Sequence, residues 1–292
     1  MKDLFKYLTV GDHDKSWGLY LNVAGRARVS PHAIYPSNAH PSGYYFNWKN
    51  GRILSEFQLN YITEGTGMYE NELGHFPIRP GTMILVRPGI RHRYKPESDT
   101  GWVENYIGFD GELAHKLLSY EFFNTSDVYH YGAREELIDT YDKIFGLVQE
   151  EAPGYQQIAS GLIVKLLGYL ISLHKRRNFS GKYIEQVIQK ARFQMREQLD
   201  HKVDLRQLAQ THHIGYAYLR KMFKQYTGVS PHQYHLEMRI MGARERLLSS
   251  DRSIKEICFE LGFESVHYFS RIFKKKTGMS PSEMRNSAGY HL

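Results

Sequence analysis

The feature that most constrains this chain is a repeat. YLRKMFKQYTGVSPHQY, from Tyr218 to Tyr234, returns fifty positions later as YFSRIFKKKTGMSPSEMR, from Tyr268 to Arg285. An aromatic residue with an apolar neighbour, a basic residue, Phe-Lys, Thr-Gly and Ser-Pro stand in register in both copies. Upstream the likeness continues at an offset of 49, with Leu205 matching Ile254, Leu208 matching Ile257 and Ala209 matching Cys258. One extra residue in the second turn brings the offset to 50. Helix starts are marked in the same way in each copy. Asp204 with Gln207 and Ser253 with Glu256 have capping-box spacing, in which the first side chain caps the helix and the fourth reaches back. Ser230-Pro231 with Gln233 and Ser280-Pro281 with Glu283 repeat the pattern, with Pro at the first helical position, where a missing N–H costs nothing.

A capped short helix, a tight turn and a second amphipathic helix make a helix-turn-helix unit, here present twice. In the first copy Leu219, Met222, Phe223 and Tyr226 form an inward stripe, and Ala217, Arg220, Lys221 and Lys224 face outward. In the second, Phe269, Ile272 and Phe273 are the inward set, and Val266, His267, Ser270, Arg271 and Lys274 the outward one. Small or polar residues early in such a helix, followed by basic ones, suit a major groove in which base edges are read and phosphates anchored. The run Lys274–Lys276 is expected to face phosphates. Between the copies, residues 231–249 read as one helix with Tyr234, Met238, Met241 and Leu248 among its apolar positions. Nineteen residues make roughly 28 Å of helix, close to the ~34 Å between successive major grooves on one DNA face.

Charge agrees. Residues 181–292 hold 19 Lys/Arg against 11 Asp/Glu, so the excess of +7 carried by the whole chain resides in this third. From charge alone a solvated basic surface without a partner accounts for this equally well.

Residues 183–292 resemble the DNA-binding region of the AraC/XylS family of bacterial transcription regulators. SIKEICFELGFESVHYFSRIFKKKTGMSPSEMR carries the resemblance, with GF, YFSRIFKK, TG and SP where that family has them. It implies double-stranded DNA half-sites as the partner. Contacts would come from Tyr216, Ala217, Arg220 and Lys221 in the first reading helix, with Lys224 beyond them. In the second they would come from Ser265, Val266, His267, Ser270 and Arg271, with Lys274 following. His212, His213 and Gly215-Tyr216 depart from the small polar residues more usual in the first copy. The resemblance also implies RNA polymerase as a partner and activation as the mode of control. Cys258, opposite Ala209 in the repeat, is expected to be a small core residue.

Before residue 110 the texture is different. Short runs such as QLNYIT and GTMILV are broken by EGTG, RPG and SDTGW, the pattern of a β-barrel or sandwich. Residues 135–151 then show helical spacing through Leu137, Ile138, Tyr141, Ile144, Phe145 and Val148. Pro153-Gly154 breaks this run before a second helix over 155–174, apolar around much of its surface. Such a helix is buried on more than one face, by its own barrel or across a homodimer seam. HKRRNFSGK, residues 174–182, reads as a linker. The segment from Leu59 to Gly111 resembles the cupin-type sensing domain of sugar-responsive members of the same family. The expected architecture is therefore α+β in two domains: a cupin-like sensor barrel over 1–112 with a helical dimerisation segment over 113–178, then an all-α double helix-turn-helix domain over 183–292.

Two functions compete for the barrel. Cupin metalloenzymes place His-x-His and a downstream Glu near GTGMYEN, with another His after the PG turn. Here the first position offers Met68, Tyr69 and Glu70, and only His92 follows Pro88-Gly89. One imidazole does not make a transition-metal site, so neither metal, cofactor nor enzymatic activity is expected. For a sensor, Trp48, Arg52, Tyr94, Trp102, Glu104 and Tyr106 are candidate pocket residues, with Ser37 and His40 on a covering segment and His92 beside them. Aromatic faces and charged hydrogen-bonding groups suit a sugar. Similarity to arabinose-type sensors points to Ser37, Arg52, Tyr94, Glu104 and Tyr106, while Arg52 with Glu56 also has the spacing of a plain salt bridge. The alternatives are a cupin enzyme fused to a DNA-binding module, or a regulator of a non-sugar response. With one cysteine, no apolar leader and no apolar run approaching membrane-spanning length, the chain reads as cytoplasmic and independent of membranes.

Overall fold

The computed structural model describes residues 3–36, 48–177, 179, 181–201 and 203–288. The chain forms two compact units, residues 1–174 and 175–292.

The first unit runs β1 (Leu4–Tyr7), α1 (Asp12–Ser16), β2 (Tyr20–Val29), β3 (Phe57–Gly65), β4 (Gly67–Asn71), β5 (Gly74–Ile78), β6 (Thr82–Val86), β7 (His92–Pro96) and β8 (Trp102–Asp110). After these come α2 (Glu112–Leu118), a 3₁₀ turn at Glu121–Asn124, β9 (Val128–His130), α3 (Glu135–Glu150) and α4 (Tyr155–Arg177). Six strands in the order β1-β2-β8-β3-β6-β9 make one sheet, and β5-β4-β7 make the other. Every pairing is antiparallel.

Strand alternation sorts β8 into two faces. Ile107 and Phe109, with Leu59 and Tyr61 of β3, join Leu137, Tyr141 and Ile144 of α3 and Ile163, Leu166 and Leu170 of α4 in one core. Trp102 points the other way, into a second core with Ile62, Tyr69, Ile84 and Tyr94. Two polar links lock the helices to the sheet. The Tyr141 hydroxyl donates to the Leu59 carbonyl at 2.9 Å. At the bulge of β2 after Leu21, the Gln156 side chain accepts from the Leu21 N–H at 2.9 Å and donates to its carbonyl at 3.0 Å, standing in for a missing strand neighbour.

The helical segment over 113–174 thus belongs to the barrel unit rather than standing apart, because its apolar faces complete the core of the larger sheet. Helix α4 continues to Arg177, three residues beyond its expected end at 174. It is also long and apolar enough to cross a membrane, with a mean hydropathy of 1.3, contrary to the expectation that no run approaches that length. Its apolar side chains Ile163, Leu166, Leu167 and Leu170 are spent on the sheet.

The second unit contains α5 (Tyr183–Glu197), α6 (Leu205–Thr211), α7 (Tyr216–Thr227), α8 (Pro231–Ser249), α9 (Ile254–Glu260), α10 (Val266–Thr277) and α11 (Pro281–Ala288). The caps form as the spacing predicts. Asp204 accepts from the Arg206 and Gln207 N–H groups, and reciprocal boxes close at Ser230/Gln233, Ser253/Glu256 and Ser280/Glu283. Two separate cores result. One gathers α5, α6 and α7 with Tyr234 and Met238; the other gathers α9, α10 and α11 with Ile240, Ala243 and Leu247. Cys258 is fully buried in the second. Helix α8 therefore serves two cores in succession. Its Met241 and Leu248, expected among the packed positions, are 67% and 48% exposed, while His235 and Arg239 are buried instead.

Candidate functional site

The inner face of the larger sheet carries a polar layer. On β8, Trp102, Glu104 and Tyr106 point inward in succession, paired with Val29, Ala27 and Gly25 of β2. Gly25 is required there, because a Cβ would come within 2.4 Å of the Tyr106 hydroxyl. Arg52, which bridges to His92 outside the strands, enters from the opposite side. Its Nη2 donates to the Tyr94 hydroxyl at 2.6 Å and to Gln58 Oε1 at 3.3 Å, and its Nε donates to His92 Nε2 at 3.2 Å. The guanidinium also lies 5.1 Å from the centre of the Tyr94 ring.

Protonation states follow. His92 Nε2 accepts from Arg52, so the ring proton sits on Nδ1 and donates to the Ile90 carbonyl at 3.1 Å. Burial, reinforced by Arg52, lowers the His92 pKa to about 4 and keeps the ring neutral. Burial raises the Glu104 carboxyl to about 7, against the pull of Arg52. It also raises the Tyr106 phenol, with the Glu104 charge adding to the effect.

Along β8 three buried polar atoms find no partner among the described residues: Trp102 Nε1, Glu104 Oε2 and the Tyr106 hydroxyl. Each such group costs roughly 1–3 kcal/mol if left unsatisfied. Three together mark a place prepared for a ligand rich in hydrogen-bonding groups. Tyr35 closes over it, its ring centroid 5.9 Å from Trp102 in an edge-on contact.

Of the sequence-predicted pocket residues, Arg52, His92, Tyr94, Glu104 and Tyr106 converge on this layer, and Ser37 and His40 lie outside the described residues. Trp48 does not line it. Its ring stacks under Arg93 and Lys95, at 4.6 and 4.5 Å, on the outer side of β7, because alternation turns His92 and Tyr94 inward and Arg93 and Lys95 outward. Glu70, at the metal-cupin position, is likewise held outside by Arg93 at 2.6 Å and His75 at 2.8 Å. Gln58 was missed by the sequence reading; only its place two residues before Asn60 on the inward side of β3 could have signalled it. Among the described residues no three His, Cys, Asp or Glu side chains group as metal ligands.

In the second unit, α7 is held by Leu219 and Phe223 and α10 by Phe269 and Phe273, all fully buried. Ala217, Arg220, Lys221 and Lys224 are exposed on α7, and His267, Arg271 and Lys274 on α10. Ser270 is half-buried, and Ser265 caps α10 by accepting from the Tyr268 N–H at 3.4 Å. Val266, expected to face outward, packs partly against the second core, and Tyr216, named as a contact only by the resemblance, packs partly against the first. The Tyr216 ring carries the guanidinium groups of Arg206 at 4.9 Å and Arg220 at 5.7 Å. Arg271 leans on Tyr268 at 5.9 Å in the other copy. Tyr218 and Tyr268, equivalent in the repeat, are 47% and 42% exposed beside these basic residues; reading them only as repeat markers concealed that. Lys276 pairs with Glu237 of α8, and Lys274 stands 4.0 Å from Glu283.

Barrel and paired helix-turn-helix units together define a transcription regulator with a ligand-binding domain. Residues 31–167 match the AraC-like ligand binding domain, and residues 208–287 match a helix-turn-helix domain. The chain belongs to the AraC family of transcription regulators. It is 25% identical to the MmsAB operon regulatory protein of Pseudomonas aeruginosa, over 86% of this chain and 82% of that one. It is 27% identical to the arabinose operon regulatory protein of Escherichia coli, over 80% and 81%. Among solved structures, the C-terminal domain of AraT from Geobacillus stearothermophilus is 30% identical over 36% of this chain and 88% of that one, with a TM-score of 0.34.

Proposed function

We propose that this chain is a cytoplasmic, sugar-responsive activator of carbohydrate-utilisation genes. The observation that carries the sugar reading is the unsatisfied row Trp102, Glu104 and Tyr106 beside Arg52 and Tyr94. Hydroxyl groups both donate and accept, and so can satisfy an indole N–H, a carboxylate and a phenol at once, while aromatic faces pack on C–H surfaces. A relative named for the arabinose operon, 27% identical, supports the class of effector. A thermal-shift screen against pentoses, hexoses, sugar acids and short oligosaccharides tests it. A cognate sugar at 100 times its Kd raises stability by about 2.7 kcal/mol. Silence across all four sets would remove the sugar assignment.

Homodimerisation through the outer side of α4 belongs to the same proposal. Ile158 is 57% exposed there, and a side chain added at Gly161 or Gly168 would meet nothing within the protomer. Interior helix glycines cost about 1 kcal/mol each, which close approach of a second helix would offset. A monomer in sedimentation would remove this part. Helices α7 and α10 read two adjacent major grooves, and an activator so placed engages RNA polymerase. Arg220→Ala and Arg271→Ala should each weaken binding to the selected DNA site by about 1–3 kcal/mol. Unchanged affinity in both variants would overturn the groove assignment.

A further inference from the structure

We propose that the cleft between α8 and the first turn of α10 holds one phosphodiester of the DNA backbone, at the stretch of duplex between the two reading helices. The inference rests on the reading of α7 and α10 as DNA-reading helices and adds a contact that neither of them makes.

Arg239 is the observation behind it. The residue is only 7% exposed. Its Nη1 donates to the Gly262 carbonyl at 3.3 Å, and its guanidinium sits 5.8 Å from the Phe263 ring. Nε and Nη2 have no partner among the described residues. Those two nitrogens share one edge of the guanidinium, the edge that grips two oxygens of a single anion side by side. A buried guanidinium with that edge unfilled is costly, by several kcal/mol in the absence of a counter-charge. Burial accordingly depresses its pKa, and Asp200 is the carboxylate that offsets this. Asp200 is itself engaged, its Oδ2 standing 3.0 Å from His201 Nδ1. Glu264 stands exposed at the rim of the cleft.

The rest of the cleft suits an anion of this size. It encloses about 350 Å³ between His232, His235, Arg239, Gly262, Ser265 and Tyr268. His232 lies in the first turn of the 19-residue helix α8, and Ser265 is the N-cap of the 12-residue helix α10, so the positive ends of two helix dipoles line the same space. His232 and His235 also border the neighbouring cleft that contains Tyr216 and Arg220 of α7. They therefore stand between the two reading helices, where a duplex engaged in successive major grooves presents phosphate backbone rather than base edges. A phosphodiester supplies one charge and two non-bridging oxygens, which matches what Arg239 lacks.

The test pairs protein variants with single neutral methylphosphonates, placed in turn at each phosphate of a duplex selected by the full-length chain from a random pool. With the unmodified chain, one central methylphosphonate should weaken binding about tenfold. Arg239→Gln should weaken binding to the unmodified duplex about tenfold and become insensitive to that same methylphosphonate, a coupling that a purely structural role does not produce. His232→Ala, at an exposed position, should lose a few-fold and show the same position-specific coupling. It keeps the test decisive if Arg239→Gln fails to fold. Penalties that simply multiply at every phosphate, for both variants, overturn the proposal. In that event sensitivity to Arg220→Ala and Arg271→Ala would leave the reading helices standing. Should those two variants also bind unchanged, it is the groove assignment that fails, and this proposal with it.

Discussion

Replacing Glu104 with Gln should stabilise the ligand-free barrel unit, by an amount that grows with pH. Folded Glu104 titrates at about 7, raised by burial, whereas an unfolded Glu titrates near 4.3. Between those values the folded state holds a proton that the unfolded state has released, so this group's contribution to stability falls as pH rises. The deficit is complete above pH 7 and amounts to roughly 4 kcal/mol. Gln keeps the shape and hydrogen bonding of the protonated acid without the charge. His92 acts in the opposite sense. With a folded pKa of about 4 against about 6.5 unfolded, it contributes stability that is present above pH 6.5 and lost as pH falls toward 4. The unmodified chain should therefore show a shallow pH profile, and the difference between variant and parent is the cleaner quantity. That difference should be small at pH 4.5 and about 4 kcal/mol at pH 8. Tryptophan emission during urea unfolding reports it, because Trp17, Trp48 and Trp102 all lie in the barrel unit. A constant difference across that range would show that Glu104 is not the buried acid described here. The same charge bears on the effector: a hydroxyl donating to Oε2 favours the carboxylate, so sugar binding should tighten as pH rises through 7.

Gly262→Ala should disrupt the second helix-turn-helix and abolish specific DNA binding. Gly262 turns the chain after α9 with φ +67°, and a Cβ there would lie 2.0 Å from the Asp200 carbonyl oxygen. The left-handed conformation costs an L-residue about 1–2 kcal/mol, and overlap with main chain rather than with a movable side chain adds to it. A total on the order of 3 kcal/mol or more is expected. The equivalent position in the first copy is His213, which takes φ +51° and whose side chain is exposed. His213→Gly should accordingly change stability by less than about 1 kcal/mol. Far-UV circular dichroism and DNA binding report this unit, which contains no tryptophan. Equal effects at the two positions would refute the packing account of Gly262.

Much of the DNA-binding unit was legible because its determinants are local. A capping box spans four residues and an inward stripe repeats every three or four, so α8 begins and ends where its cap and spacing predict. The turns between helices repeat as well: the Ile214 N–H bonds the Ala209 carbonyl as the Phe263 N–H bonds that of Cys258. The outward sets on α7 and α10 follow from the same arithmetic. Where it failed, at Val266, the residue sits in the first turn, where the helix meets its core.

The barrel's inward and outward sets on β8 could be counted off, since a strand alternates strictly. Which neighbours those residues meet could not. Trp48 stacks outside the sheet, Arg52 is shared among Tyr94, Gln58 and His92, and the unsatisfied row on β8 appears only when strands distant in sequence are paired. Helix α8 shows the same limit. By itself the sequence determined that residues 231–249 form a helix linking two copies of one motif. Only tertiary structure decided that Met241 and Leu248 face outward while Arg239 is buried with Nε and Nη2 unpartnered among the described residues. Helix formation is set by neighbours within a turn or two; the buried face is set by which core each turn meets, and α8 meets two.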